Sequence, residues 1–184
     1  KDVDLNRKYT FKHSRSSWKG IPIIASNMDG VGEIDVAKKL SSHKLMTALT
    51  KQHDIDQIGT IYKKNIFFDS IALSCGTSKD SYNRLNSILK KYPKFKFICI
   101  DVANGYSENF SNFVSEVRKK YPKKTIIAGN VVTADMTQEL VLRGADIVKV
   151  GIGPGSVSTT RIQTGVGYPQ LSAVMECADA AHGL

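Results

Sequence analysis

The 184-residue sequence has no hydrophobic run that approaches the roughly 20 consecutive apolar residues of a transmembrane helix. Its basic N-terminus is followed by no apolar segment of the signal-peptide type. These absences predict no membrane partner and favour the cytoplasm as the compartment. The content of hydrophobic residues, 41%, is that of an ordinary globular protein.

Cysteine is scarce, and its spacing excludes the common zinc patterns. Cys75, Cys99 and Cys177 are odd in number, and none of them forms a CxxC pair. The first two lie in apolar runs, so we interpret all three as reduced core residues. His43 and His53 lie in no HExxH motif, which predicts surface or helix-end roles and no transition metal.

Positive charge is in excess but has no single block. There are 26 Lys and Arg residues against 17 Asp and Glu, giving a net charge of +9. The lysines come as separated pairs, such as Lys90-Lys91 and Lys119-Lys120, which favours helix C-termini over a nucleic-acid groove. We therefore predict no nucleic-acid partner, although a small phosphorylated ligand could use the excess.

Short apolar runs rich in β-branched residues recur, and segments with helical periodicity separate most of them. In one such segment, Phe110, Phe113, Val114 and Val117 lie on one helix face. Strands that alternate with helices predict a parallel sheet. The six predicted strands are residues 21–26, 45–50, 70–75, 97–102, 125–128 and 147–150.

Helix boundaries carry local signals. Ser78 and Thr133 are suited to N-caps, and Gly144 follows Arg143 where a glycine commonly ends a helix. Residues 89–93 and 118–122 nearly repeat each other, since each finishes a basic helix with Lys-Lys-Tyr-Pro before a strand. We interpret both joints as the helix-to-strand connections between successive βα units.

All six predicted strands end in polar residues or glycine, as expected where strand ends converge on the active face of a (β/α)₈ barrel. A doubly wound sheet would gather such residues mainly at one switch point. A full barrel needs eight units and typically about 250 residues. We therefore predict one partial barrel domain over residues 1–184, with the C-terminal units missing. The segment 54–69 is too short for an inserted regulatory domain.

The strongest local signal is residues 149–161, a strand that runs into a loop with three glycines, a proline and four hydroxyl residues. Such a loop can expose its backbone to a cation or a phosphate, although a plain structural turn remains an alternative.

The loop continues over residues 163–174 as Gln-Thr-Gly-Val-Gly-Tyr-Pro-Gln-Leu-Ser-Ala-Val and closely resembles the active-site loop of the IMP dehydrogenase and GMP reductase family. Further family-like blocks lie in the expected order at residues 27–29, 101–108, 128–133 and 176–183. The residues of these blocks are more similar to the GMP reductase branch of the family. The lack of an inserted regulatory domain, which IMP dehydrogenases commonly carry, favours the same branch. The resemblance covers most of the chain from Tyr9 onward.

The resemblance implies conversion of GMP to IMP with NADPH and release of ammonia. In the family, a cysteine of the glycine loop attacks the purine C2, expels the amine and holds a covalent thioimidate while hydride arrives. This sequence has Ser158 at that position. A hydroxyl ionises far less than a thiol near neutral pH. The serine therefore leaves two hypotheses, an active enzyme and an inactive protein that still binds the ligands.

The resemblance also implies further site residues. Thr160 matches a threonine that works with a glutamate from a later strand, which would lie beyond Leu184, and Lys51 matches a lysine near nicotinamide and purine. Asn130 would point toward the purine, with Thr77 and Ser78 as neighbours of the cofactor. The cofactor contacts implied are Lys51, Asp101, Val102, Ala103, Ile152 and Gly153, and the potassium ligands implied are Gly153, Gly155, Ser158 and Arg161.

Three hypotheses follow. The first is an NADPH-dependent GMP reductase with GMP and IMP as ligands, potassium as its ion and a homotetramer as its implied assembly. The second is a catalytically silent nucleotide-binding homologue or partner subunit, which Ser158 would explain. The third is an IMP dehydrogenase-like enzyme that runs in the opposite redox direction with NAD.

Overall fold

The computed structural model describes residues 3–63 and 68–184, which form two compact units. One unit comprises Lys1–Cys99 and Lys123–Thr125, and the other comprises Ile100–Pro122 and Ile126–Leu184. Residues 64–67, part of the segment judged too short for an inserted domain, lie outside the described residues.

The chain alternates strands and helices from the third strand onward. The first half contains β1 (Arg7–Thr10), β2 (Ser17–Gly20), β3 (Ile24–Ala25), α1 (Ile34–Ser42), β4 (Met46–Leu49), α2 (Ile55–Lys63), a 3-10 helix (Phe68–Ser70), β5 (Ile71–Cys75), α3 (Lys79–Lys91) and β6 (Phe97–Asp101). The second half contains α4 (Glu108–Lys120), β7 (Thr125–Val131), α5 (Ala134–Arg143), β8 (Ile147–Val150), α6 (Thr160–Thr164) and α7 (Gln170–His182).

The sheet has the strand order β3-β4-β5-β6-β7-β8, which is the order of the chain. Parallel register joins Ile24 to Met46, Thr47 to Ile71, and Ile127 to Ile147. Within the described residues, six parallel strands with connecting helices give six of the eight units of a (β/α)₈ barrel. The predicted fold class is confirmed.

All six predicted strands form, and four of them have bounds within one residue of those predicted, whereas β3 and β7 differ by more. β3 covers only Ile24–Ala25, because Pro22 has no N–H group to donate to a neighbouring strand. β7 continues beyond Ala128 to Val131, with an irregular register between Gly129 and Val131. The glycine that suggested a strand end therefore lies within the strand.

The antiparallel hairpin of β1 and β2 was not predicted. Its register pairs Tyr9 with Trp18, whose rings are stacked with centroids 6.4 Å apart. All four residues of β1 are exposed, so the segment has no buried alternation by which a strand could be recognised. The hairpin loop is fixed by the hydroxyl of Ser14, which lies 2.9 Å from that of Thr125.

Each unit has its own buried apolar side chains, and the predicted helix faces are among them. In the first unit, the core includes Ile58, Ile61, Ile71, Leu73, Leu85, Ile88 and Phe95. In the second unit, it includes Ile100, Phe110, Phe113, Val114, Val117, Ile126 and Leu140. The three cysteines are buried, as the core assignment predicted, and none of them is disulfide-bonded within the described residues.

Two of the three helix-boundary predictions hold in full. The Ser78 hydroxyl accepts a hydrogen bond from the Ser81 amide at 3.2 Å, and Gly144 ends α5 in the left-handed conformation with φ of 118°. Thr133 occupies the N-cap position of α5, but its side chain makes no capping bond. Its hydroxyl is used by a tyrosine of the candidate site.

Of the surface or helix-end role predicted for His53, the surface role is wrong, whereas the contact with Glu33, the N-cap residue of α1, agrees with a role at a helix end. His53 is 6% exposed, and its Nε2 lies 3.0 Å from Oε2 of Glu33 while Nδ1 lies 3.0 Å from Oγ1 of Thr50. Arg84 donates from Nε to the His53 carbonyl at 2.9 Å. His53 therefore joins the start of α1 to the end of β4 as a buried structural residue.

A buried ion pair in the second unit ties α4 to the segment before β8. Arg118 Nη2 lies 2.5 Å from Asp146 Oδ2, and the Asp146 side chain is fully buried. The same carboxylate oxygen accepts from the Ile126 amide at 3.0 Å, and Arg118 Nε donates to the Gly144 carbonyl at 2.9 Å. Burial lowers the pKa of Arg118, and Asp146 opposes that shift.

We predict that Asp146→Ala lowers the free energy of unfolding by about 3–5 kcal/mol, because it leaves a largely buried guanidinium without its carboxylate. Asp35→Ala is the control, since Asp35 pairs with Lys38 at 3.3 Å but is 96% exposed. That change should cost about 1 kcal/mol or less. Urea denaturation measures both, and equal losses would contradict the assignment.

Candidate active site

The glycine loop between β8 and α7 is anchored at both ends. At its start, Gln170 Nε2 donates to the Val150 carbonyl at 2.9 Å. At its far end, the Tyr168 amide donates to the Ile152 carbonyl at 3.1 Å. Because Gln170 is the first residue of α7, the return of this helix to the end of β8 closes the loop into a defined turn.

An apolar cluster lies beneath these anchors. Val132, Ile152 and Ala173 are buried together, and Val150 and Tyr168 pack against them. The side chain of Ile152 is therefore part of the core, and only its backbone faces the loop. The cluster joins the end of β7, the start of the loop and α7.

Glu176 of α7 links the loop to the start of α5. Its Oε1 accepts from the Ala134 amide at 3.1 Å, and its Oε2 accepts from the Tyr168 hydroxyl at 3.3 Å. Ala134 is the first residue of α5, so a carboxylate at this amide also faces the positive end of the helix dipole. Glu176 thus supplies the cap that the Thr133 side chain does not.

The ends of the strands in the second unit are joined by backbone and amide contacts. The Val102 amide donates to the Gly129 carbonyl and the Asn130 amide donates to the Val102 carbonyl, both at 2.9 Å. Asn130 Nδ2 donates to the Gly151 carbonyl, also at 2.9 Å. Asn130 therefore connects β7 to the first residue of the glycine loop.

Asp101 at the end of β6 pairs with Lys149 of β8. Lys149 Nζ lies 2.7 Å from Asp101 Oδ1, and both side chains are about a quarter exposed, at 25% and 22%. Val102 and Ala103 follow Asp101 directly, and Ala103 is exposed. The three cofactor residues predicted at the end of β6 therefore include one carboxylate that is already paired with a lysine.

Tyr106 orders the turn after β6. Its hydroxyl lies 2.9 Å from Thr133 Oγ1 and accepts from the Val132 amide at 3.0 Å. The Gly105 amide donates to the Asn130 carbonyl at 2.8 Å. The turns after β6 and β7 are therefore held together.

Ser158 and Thr160 are in direct contact on the loop. The Ser158 hydroxyl donates to Thr160 Oγ1 at 3.2 Å and accepts from the Thr160 amide at 3.3 Å. Ser158 is partly exposed, so a ligand can reach it. Neither partner is a base, so in the described chain no general base hydrogen-bonds the serine hydroxyl.

Two loop glycines occupy backbone conformations that other residues rarely adopt. Gly151 has φ of +136°, and a methyl group added there would lie 2.7 Å from Gln170 Oε1. Gly153 has φ of +56°, and an added Cβ would lie 3.3 Å from the Cβ of Thr160. These glycines let the backbone turn immediately after β8.

The four residues predicted as potassium ligands lie along the same loop. The Gly155 carbonyl accepts from the Ser158 amide and the Arg161 carbonyl accepts from the Gly165 amide, both at 3.1 Å. Backbone carbonyls suit a hard monovalent cation, and each carbonyl oxygen retains a second lone pair. The donor set therefore fits the predicted ion chemically.

Lys51 belongs to the first unit, at the end of β4. It is exposed, and its Nζ would lie 3.6 Å from a Cβ placed on Gly76. The Gly76 amide donates to the Ser81 hydroxyl at 2.8 Å, and Ser78 caps α3. Lys51 thus lies beside the turn that contains Thr77 and Ser78.

Residues 1–184 match the family model described as the IMP dehydrogenase / GMP reductase domain. The chain belongs to the IMP dehydrogenase / GMP reductase family.

Curated relatives in this family are similar in sequence over nearly the whole chain. A GMP reductase of Shewanella pealeana is 54% identical over 99% of this chain and 53% of its own length. A GMP reductase of Caenorhabditis elegans is 52% identical over 100% of this chain and 52% of its own length. The chain spans about half the length of the curated relatives it matches.

A solved structure of the family has the same fold. The crystal structure of inosine 5′ monophosphate dehydrogenase from Legionella pneumophila aligns with a TM-score of 0.78 at 31% identity. The alignment covers 86% of this chain and 48% of that chain.

Sequence reasoning missed several residues that hold the family loop in place. The sequence predicts Lys149 only as part of a strand. It assigns Gln170 and Glu176 only to segments that resemble the family. Their roles depend on partners 20 to 48 residues away, so no local pattern reveals them. The position of Tyr106 after a strand end was the one available signal.

We predict that Gly151→Ala destabilises the loop and lowers the free energy of unfolding by about 1–3 kcal/mol, because φ and the contact with Gln170 both oppose a methyl group. Gly155→Ala is the matched control in the same loop, since nothing lies within 4 Å of its added Cβ. It should change stability by less than about 0.5 kcal/mol. Urea denaturation would contradict this account if the two variants were equally stable.

Proposed function

We propose that this chain carries the purine and cofactor half of a GMP reductase active site, for the NADPH-dependent conversion of GMP to IMP and ammonia. The observation that carries the proposal is the anchored glycine loop with Ser158 beside Thr160. The relatives named GMP reductase, at 52–54% identity over 99–100% of the chain, support it.

In the proposed reaction, Ser158 occupies the position from which a nucleophile would reach C2 of the purine. Hydride replaces the amino group at C2, and a proton goes to the departing amine, which leaves as ammonia. Thr160 holds the Ser158 hydroxyl by two contacts, which orients the oxygen but does not deprotonate it. This arrangement orients the hydroxyl without activating it as a nucleophile.

The cofactor region is proposed to lie at the end of β6. NADPH supplies the hydride when bound. Ala103 and the backbone of Val102 and Gly153 offer contacts there, while Asp101 is held by Lys149 and Ile152 contributes its backbone only. Lys51 offers an exposed ammonium group for the phosphates or for developing charge on the purine.

A potassium ion would be held by the carbonyls of Gly153, Gly155, Ser158 and Arg161. Bound there, a monovalent cation would fix the loop conformation through its charge. The homotetramer implied by the resemblance and the cytoplasmic location favoured by the sequence stay predictions. No helix of the described chain has the length and apolarity to span a bilayer.

A silent nucleotide-binding homologue is the second candidate. The observation that favours it is the hydroxyl of Ser158, whose hydrogen-bond partners are a hydroxyl and an amide. Both candidates require the same purine site, so they differ in turnover rather than in binding.

We predict that GMP and IMP bind in preference to AMP, because the proposed pocket is one for a 6-oxopurine. The test protein is a chimera in which this chain is followed by the C-terminal half of the Shewanella pealeana GMP reductase. Calorimetry should give at least about tenfold weaker binding of AMP. Equal affinity for AMP, or no purine binding, would remove the substrate assignment.

We predict that Ser158→Cys in the same chimera raises GMP-dependent NADPH oxidation by a factor of about 10³ or more, since a thiolate is the stronger nucleophile and similar in size. NADPH absorbance and ammonia release measure the rate. Ser156→Cys is the control, because it adds a thiol to an exposed position of the same loop.

Two other outcomes decide between the hypotheses. If the Ser158→Cys chimera binds both ligands but never turns over, the silent homologue is the better account. If it oxidises IMP with NAD faster than it reduces GMP with NADPH, the IMP dehydrogenase-like hypothesis replaces both.

A further inference from the structure

The first unit contains a lysine-lined cavity that the proposed active site does not use. It has a volume of about 470 Å³ and lies between the 3-10 helix, the segment before β6 and the segment before β7. Lys94, Lys96, Lys123 and Lys124 line it, together with Asp69, Phe68 and two smaller residues. We call it the lysine pocket.

The pocket has a strong excess of positive charge. Four lysines and one carboxylate give its lining a net charge of +3. The carboxylate is engaged, because Asp69 Oδ1 lies 2.8 Å from Lys96 Nζ. The remaining ammonium groups of Lys94 and Lys123 belong to exposed residues and are accessible to a ligand.

Lys124 is held in place at the wall of this pocket. Its Nζ donates to the carbonyls of Pro93 and Phe95 at 2.5 Å and 2.6 Å. Burial lowers the pKa of Lys124, and the charge of Lys96 lowers it further. A bound anion would offset both effects, since it would stabilise the protonated ammonium.

Aromatic rings orient Lys94. Its Nζ lies 5.6 Å from the centroid of the Tyr62 ring and 5.9 Å from that of Phe68. These rings belong to an aromatic cluster, since Phe68 packs edge-on against Phe95 with centroids 5.2 Å apart. The ammonium group therefore projects from a rigid apolar wall.

The two near-repeated joints of the sequence account for this concentration of charge. The first joint leads into Lys94 and Lys96, and the second leads into Lys123 and Lys124. Lys124 donates hydrogen bonds to the carbonyls of Pro93, at the end of the first joint, and of Phe95, just after it, so the two segments meet at one pocket. The lysines after the prolines are therefore gathered rather than spread over the surface.

We propose that the lysine pocket binds a compact phosphate anion of three or more negative charges, with the ammonium groups of Lys94, Lys123 and Lys124 as its ligands. Ammonium groups bind phosphate oxygens as point charges, and charge-assisted hydrogen bonds are stronger than neutral ones. The anion could be an inorganic polyphosphate or the phosphate chain of a nucleotide. This site is independent of the reaction proposed above.

Calorimetry of the full 184-residue chain with inorganic tripolyphosphate, at constant ionic strength, tests the proposal. Lys94→Gln combined with Lys123→Gln should weaken binding about tenfold or more, and both residues are exposed, so the fold should survive. Lys39→Gln combined with Lys90→Gln is the control, because it removes the same charge at exposed positions outside the pocket. The control should change affinity less than about twofold.

A parallel titration with ATP identifies the source of the anion. Equal affinity for ATP and tripolyphosphate supports recognition of the phosphate chain alone, whereas tighter binding of ATP supports a nucleotide. Amide chemical-shift changes at residues 94–96 and 123–124 should accompany either titration. The proposal is overturned if neither anion binds at millimolar concentration, or if the control variant weakens binding as much as the pocket variant.

Discussion

Two hydrogen bonds hold the ends of the glycine loop against β8, from Gln170 to the Val150 carbonyl and from Tyr168 to the Ile152 carbonyl. Everything proposed for the site depends on them, because they fix where Ser158 and the loop carbonyls lie. Glu176 extends the constraint by binding Tyr168 and the first amide of α5. A loop rich in glycine has high backbone conformational entropy when it is free. The contacts with α7 restrict that entropy and give the loop a defined conformation.

The order of strands and helices was predictable, because each buried strand is an apolar run and each helix has one apolar face. The roles of Ser78 and Gly144 at helix ends could be predicted because capping also depends on local residue type. The hairpin of β1 and β2 could not, since β1 is exposed throughout and its stability depends on the partner strand. The bounds of β3 and β7 depend on hydrogen-bonded strand pairing near Pro22 and Gly129. Hydrophobic periodicity in the sequence does not reveal that pairing.

Part of the site was also accessible from sequence, since Ser158, Thr160 and the loop glycines are adjacent in the chain. The Asp101–Lys149 pair and the Asn130 contact with Gly151 were not, because each joins different strands. His53 was misjudged for a related reason: its partner Glu33 lies 20 residues earlier, so its burial had no local signature. The prediction that lysine pairs lie at helix C-termini is confirmed for Lys90-Lys91 and Lys119-Lys120. The gathering of Lys94, Lys96, Lys123 and Lys124 around one pocket had no local signal, because it joins two distant segments.

The central claim is that the anchored loop of residues 151–168 is the purine-nucleotide site. Amide hydrogen exchange of the chimera, with and without saturating IMP, tests it most directly. The account predicts slower exchange in residues 151–168 and at the strand ends 101–105 and 129–133, with no change in the hairpin of residues 7–20. Bound IMP that leaves exchange in residues 151–168 unchanged would contradict it.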